Sequence, residues 1–257
     1  MSAAARPRSD ASTASKLAHS IRGLKRRLQA RSPGRADRAI RRKRWNDPSV
    51  RAVVRRFHEI YYGATKRTWG NTFWRGVRVL KCPLDLWVYQ ELLSEVEPDL
   101  IVETGTKHGG SAYYLASICD LIGHGAVVTI DVDELPDRPE HPRITYLSGS
   151  STDPAVVAQV DERIADGSRV MVILDSDHSR DHVLAELDTW SSRVSVGSFL
   201  IVEDTNINGH PVTQHSYPGP WEALADWLPR HPGFRRDPSC EKHFLTFNPG
   251  GFLRRVE

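Results

Sequence analysis

The sequence predicts an α/β fold, a parallel sheet with helices on both faces, and three observations predict it. Short apolar, β-branched runs recur at residues 100–103, 126–130, 169–174 and 197–202, and runs apolar at almost every position belong to strands buried on both faces. Segments with helical patterning separate them, the alternation that produces a parallel sheet with crossover helices. Each run is followed by or ends on an acid, namely Glu103, Asp131, Asp175 and Glu203, and the carboxyl ends of strands are where such sheets place their ligands.

Taken in order, residues 1–15 are small and polar and read as disordered, while 16–31 and 35–45 are Arg-rich with sparse Leu, Ile and Ala and fit short basic helices. Val50, Val53, Val54, Phe57, Ile60 and Tyr61 recur at helical spacing and predict an amphipathic helix over 47–62. A loop rich in Gly, Thr and Trp occupies 63–76, and 77–83 leads into a helix at 85–94. Then come strand 100–103, helix 110–122, strands 126–130 and 144–147, helix 154–166, strand 169–174, helix 180–191, strand 197–202 and helix 219–230. Strands at 234–237 and 242–247 close the sheet as an antiparallel hairpin. The domain reading is a basic arm over 1–45, a helical segment and cap over 46–98, and a ligand-binding core over 99–257.

Charge is unevenly spread over the 257 residues. Residues 1–50 carry 14 Lys/Arg against 3 Asp and the remainder carries 21 against 29 Asp/Glu, so the overall +3 conceals a basic arm on an acidic domain. No aromatic residue interleaves with the basic ones before Trp45, which weakens a nucleic-acid reading of the arm. No 18-residue apolar run and no signal-peptide core is visible, so a soluble chain is expected. Cys82, Cys119 and Cys240 are odd in number and widely spaced, which argues against a disulfide framework or structural zinc and fits a reducing cytoplasm.

The chemistry concentrates at strand ends. Residues 103–111, Glu-Thr-Gly-Thr-Lys-His-Gly-Gly-Ser, form a strand-to-helix turn whose glycine spacing differs from the Gly-x-Gly-x-x-Gly of dinucleotide folds. A carboxylate beside those glycines repels a pyrophosphate and suits a cationic ligand with an amino group, such as S-adenosylmethionine. That marks Glu103, Gly105, Thr106, Gly109, Gly110 and Ser111 as candidate cofactor contacts, although a Gly-Gly pair before a helix is also ordinary turn punctuation. Asp131 ends the next strand 21 residues past Gly110, about where an acid meets ribose hydroxyls. The polar loop 148–153 can line an adenine edge through Ser150 and Asp153; Asp153 before Pro154 reads equally well as a helix N-cap.

Asp175 and the pair Glu203-Asp204 end two neighbouring strands on one sheet edge. Three carboxylates that close repel one another unless a cation lies between them, and oxygen ligands without cysteine favour Mg²⁺. His178, three residues after Asp175, faces the same space. Any one acid at a strand end could instead cap the following helix.

Residues 87–92, 98–106, 109–112, 174–179 and 202–205, in this order and spacing, resemble the family that groups cephalosporin hydroxylase-type proteins with rhamnosyl O-methyltransferases, over roughly residues 66 to 250. More distantly the chain is similar to metal-dependent macrolide-sugar O-methyltransferases. The resemblance implies a class I, Rossmann-like methyltransferase core. It places metal ligation on Asp175, Glu203 and Asp204, a general-base role on His178, and cofactor contacts on Glu103, Gly105, Gly109, Gly110, Ser111 and Asp131. It implies a Mg²⁺- and S-adenosylmethionine-dependent O-methyltransferase for a sugar hydroxyl in natural-product biosynthesis. No facial triad for oxygenase iron is evident, so methyl transfer is expected over oxidation. A catechol or phenolic acceptor, with Trp69, Trp74, Tyr217 and Trp221 available as pocket walls, stays open. A nicotinamide-dependent oxidoreductase and a nucleic-acid-binding module are disfavoured alternatives. A small-molecule acceptor and a homo-oligomer are the expected partners.

Overall fold

The computed structural model describes residues 47–212 and 218–257. The basic arm and Tyr217 lie outside the described residues. The chain divides into two units between Val53 and Val54; of the first, only residues 47–53 are described, and they open helix α1, Pro48–Gly63. The second unit holds all the other described elements.

The Gly-, Thr- and Trp-rich stretch, expected as a loop, holds two single 3₁₀ turns and then a small hairpin, β1 Thr72–Trp74 and β2 Val77–Val79. The turn is made by Arg75 and Gly76, both at positive φ (49° and 85°), the backbone that a two-residue hairpin with native twist demands. Helix α2, Pro83–Val96, starts on a proline whose missing N–H costs nothing at a first turn, and ends where Glu97 turns left-handed.

The core alternates β3 Leu100–Thr104, α3 Gly110–Ile122, β4 Ala126–Asp131, β5 Ile144–Ser148, α4 Pro154–Asp161, β6 Val170–Leu174, α5 Arg180–Trp190, β7 Phe199–Val202, α6 Pro220–Trp227, β8 Phe234–Arg236 and β9 Phe252–Arg255. Seven strands form one sheet in the order β5-β4-β3-β6-β7-β9-β8. The first five are mutually parallel and β9 runs antiparallel between β7 and β8. The fold class is as expected, with one correction: the last strand lies at 252–255, not 242–247. Within 242–247, Phe244 sits at positive φ (67°) and breaks the extended path, while Leu245 and Phe247 are buried against Tyr62, Cys82 and Ile207. The Phe247 N–H is taken by Asp85 Oδ2 (2.8 Å), not by a strand neighbour.

Side chains of successive strand residues go to opposite faces, and the two cores show it. Leu100, Val102, Val128, Val170, Val172 and Leu200 face Leu187, Trp190 and Trp227 of α5 and α6. Ile101, Val127, Met171, Ile173 and Ile201 face Leu92, Leu93 and Leu115 of α2 and α3. Each such side chain taken fully out of water contributes about 1.5–3 kcal/mol, so the central strands are the rigid base on which the loops at their carboxyl ends are mounted.

Candidate active site

A cleft of about 530 Å³ opens along those carboxyl ends. Its floor is laid by the glycine turn after β3. The Gly105 N–H donates to Ile130 O (2.8 Å), tying the turn to β4. Gly105 has φ +84°, and a Cβ there would stand 1.9 Å from Asp175 O, so only glycine fits between the two strand ends. Gly110 opens α3 against β2, where a Cβ would stand 1.9 Å from Arg78 O. Gly109 caps α3 in the left-handed region, but its missing Cβ points at Pro139 and the Tyr146 hydroxyl (each 3.0 Å) and not into the cleft. Gly109, expected among the cofactor contacts, does not line the cleft, whereas Gly105 does. Thr106, Gly110 and Ser111 line a smaller niche beside the cleft, together with Arg78, Lys81 and Asp175.

Glu103 is fully buried and lines neither cavity. Its Oε2 accepts from the Thr129 hydroxyl (2.8 Å), which also contacts the Thr106 hydroxyl (2.8 Å). Burial pushes its carboxyl up, opposed by the Lys81 charge. It braces the turn from beneath. Asp131 does face the cleft: Oδ2 accepts from the Lys107 N–H (2.7 Å) and Oδ1 from the Asp133 N–H (3.0 Å). Ser150 also lines it, whereas Asp153 is exposed and caps α4 by accepting from the Ala155 N–H (2.8 Å). Of the two roles its sequence position allows, the capping contact is the one observed.

At the other end, β6 and β7 bring three groups together. His178 Nε2 lies 3.3 Å from Asp175 Oδ1 and 3.3 Å from Asp204 Oδ2, and one donor atom from each of the three lies within 4.8 Å of the others. Burial disfavours the imidazolium, but the Asp204 and Asp175 charges outweigh it and hold His178 up at about 9. For Asp175 burial pulls the other way, and the Lys81 and His178 charges keep its carboxyl below the usual range.

Glu203 departs from the expected ligand set. Its carboxylate is buried, accepts from Lys81 Nζ (2.5 Å) and from the Tyr89 hydroxyl (2.6 Å), and does not line the cleft. Burial and the neighbouring Asp175 push its carboxyl up, against the pull of the Lys81 ammonium. Asp204, adjacent in sequence, turns to the cleft because its backbone is left-handed (φ 53°), with its N–H held by Asn248 Oδ1 (3.1 Å).

Lys81 is a site residue that the sequence did not announce. It follows β2, is 3% exposed, and places Nζ 2.7 Å from Asp175 Oδ2, 2.5 Å from Glu203 Oε1 and 4.0 Å from Glu103 Oε1. Tyr62 is a second unannounced cleft residue; with Trp69, ring centroids 5.1 Å apart, it adds an aromatic wall. Of the other expected wall residues, the two described ones are engaged elsewhere. Trp74 donates to the Ser117 hydroxyl (3.0 Å), and Trp221 stacks on His210.

Comparison with known proteins bears on this arrangement. The family model of rhamnosyl O-methyltransferase/CmcI matches residues 66–256. The chain belongs to that family. It is 40% identical over 212 residues to the rhamnosyl O-methyltransferase of Mycobacterium tuberculosis strain H37Rv, covering 79% of this chain and 85% of the relative. The Mycobacterium leprae rhamnosyl O-methyltransferase is 37% identical over 211 residues, covering 79% and 91%. Among solved structures, apo CmcI superposes with a TM-score of 0.55 at 24% identity, covering 72% of this chain and 76% of that one. A CmcI structure described with Mg and SAM gives 0.55 at 22%, covering 72% and 77%. These superpositions show the shared fold. Fold and family together make the chain a class I methyltransferase.

Proposed function

We propose that the chain is a Mg²⁺- and S-adenosylmethionine-dependent O-methyltransferase for a sugar hydroxyl of the deoxyhexose, rhamnose type, acting in natural-product biosynthesis as a homo-oligomer. The observation that carries the reading is the convergence of Asp175, His178 and Asp204 on one wall of the cleft whose other end presents Gly105, Asp131 and Ser150. The names of the curated relatives and the CmcI complex with Mg and SAM support it.

The donor set fits a hard cation. Asp175 and Asp204 present carboxylate oxygens to the cleft, and the same two charges hold a proton on His178. Those two acids would hold the metal; Glu203, engaged by Lys81 and Tyr89, would have to leave both to join them. Bound there, a divalent cation would supply charge that lowers the pKa of an acceptor hydroxyl. A cation between Asp175 and Asp204 would offset the charges that otherwise keep His178 protonated, leaving Nε2 free to accept the hydroxyl proton as the oxygen attacks the sulfonium methyl group of S-adenosylmethionine; the S–CH₃ bond breaks and S-adenosylhomocysteine leaves as the neutral thioether. Asp131 receives the ribose hydroxyls, Gly105 lets the turn close onto the Asp175 carbonyl at the cleft floor, and Tyr62 and Trp69 shield the reacting end from water.

Paired acceptors test this reading. A rhamnosyl glycoside and a catechol, each offered at equal concentration with S-adenosylmethionine and Mg²⁺, should give methyl transfer to the glycoside at least about tenfold faster in kcat/KM, a difference of about 1.4 kcal/mol. Preference for the catechol would replace the sugar acceptor with a phenolic one.

A further inference from the structure

Behind the acids that face the cleft lies a cation of the chain's own. The Lys81 ammonium is enclosed by carboxylates from the ends of three adjacent strands: Glu103 on β3, Asp175 after β6 and Glu203 after β7. Asp175 is the shared member, with Oδ2 on Lys81 and Oδ1 toward His178. Glu203 is fixed further by Tyr89, whose oxygen accepts in turn from Asn248 Nδ2 (3.2 Å). Glu103 Oε1 is buried 4.0 Å from the Lys81 ammonium, whose charge, with the Ser111 and Thr129 hydroxyls, offsets the cost of burying the carboxylate. A lysine suits the place because its ammonium is a compact point charge with three donors, where a planar guanidinium would need a wider slot. Buried carboxylates crowded this closely are costly unless a cation is paired with them.

We propose that Lys81 is the resident counter-ion of this acidic cluster. It holds Asp175 and Glu203 side by side and keeps the site assembled before any metal binds. The Oδ1 edge of Asp175, with Asp204, is then the part of the cluster left to a divalent cation. Lys81 is thus a positioning residue for Asp175. Wild-type stability accordingly depends little on metal, whereas a chain without the ammonium needs an external cation in its place.

The test is thermal unfolding of the full chain as wild type, K81M and K81M/E203Q, each in EDTA and in excess Mn²⁺. In EDTA, K81M should unfold about 10 °C below wild type, the scale expected when one partner of a buried charge cluster is removed. Mn²⁺ should raise K81M by more than it raises wild type. K81M/E203Q should recover at least half of the loss in EDTA, because one carboxylate charge leaves with the ammonium. If K81M does not fold, the double variant decides: recovery upholds the proposal and failure overturns it. The proposal is equally overturned if K81M matches wild type in EDTA, if Mn²⁺ favours it no more than wild type, or if the double variant is no more stable than K81M. Stability is the readout, so failure here leaves the methyl-transfer reading standing, and failure of that reading leaves this one standing.

Discussion

Along β3, β4 and β5 the cleft is shaped by backbone: a left-handed glycine, a helix start and a carboxylate pinned by two N–H groups. Along β6 and β7 it is shaped by charge, with His178 between two acids on the open side and Lys81 between acids on the buried side. The difference teaches where each kind of damage should register. Changes at the backbone end should act on folding and cofactor affinity, changes on the open side of the charged end on turnover, and changes on its buried side on folding.

The largest expected effect is at the charged end. His178→Ala should lower kcat by about 10²–10⁴, the usual contribution of a positioned base, while S-adenosylhomocysteine affinity by titration calorimetry stays within a few-fold. Raised Mg²⁺ should not restore turnover. Restoration would make His178 a group that orients or ligates the metal, and would move it from proton acceptor to metal holder.

Next in size is the glycine turn. Gly105→Ala forces a Cβ onto the Asp175 carbonyl at positive φ, and should lower the unfolding temperature by about 2–12 °C, from roughly 1–3 kcal/mol of strain, and weaken cofactor binding about tenfold or more. Gly109→Ala meets only side-chain atoms of Pro139 and Tyr146 and should retain cofactor binding better. Equal losses at both glycines would remove the distinction between a turn that faces the ligand and one that only caps a helix.

The smallest effect separates capping from binding within the backbone end itself. Asp153→Ala should cost about 1 kcal/mol of stability through the lost N-cap and leave cofactor affinity unchanged. A tenfold affinity loss would return Asp153 to the cofactor site.

The same contrast explains what the sequence made legible. Fully apolar strands betray themselves by composition, so the parallel core and its acid-tipped ends could be read directly, as could the turn around Gly105. The final strand lies elsewhere: Phe244-Leu-Thr-Phe247 is patterned like a short strand, yet Leu245 and Phe247 serve the loop core with Tyr62. Lys81 could not be read: its partners Asp175 and Glu203 are 94 and 122 residues away, and nothing beside it marks a buried ammonium. Nor could spacing tell which of Glu203 and Asp204 faces the cleft, since that depends on the left-handed backbone of Asp204.

Metal dependence of methyl transfer is the most direct measure of the charged end's role. Purified protein assayed with S-adenosylmethionine and a rhamnosyl acceptor should lose at least about 10²-fold of its turnover in EDTA and regain it with Mg²⁺, while S-adenosylhomocysteine still binds. Undiminished turnover in EDTA would contradict the account and reduce Asp175 and Asp204 to groups that merely orient His178.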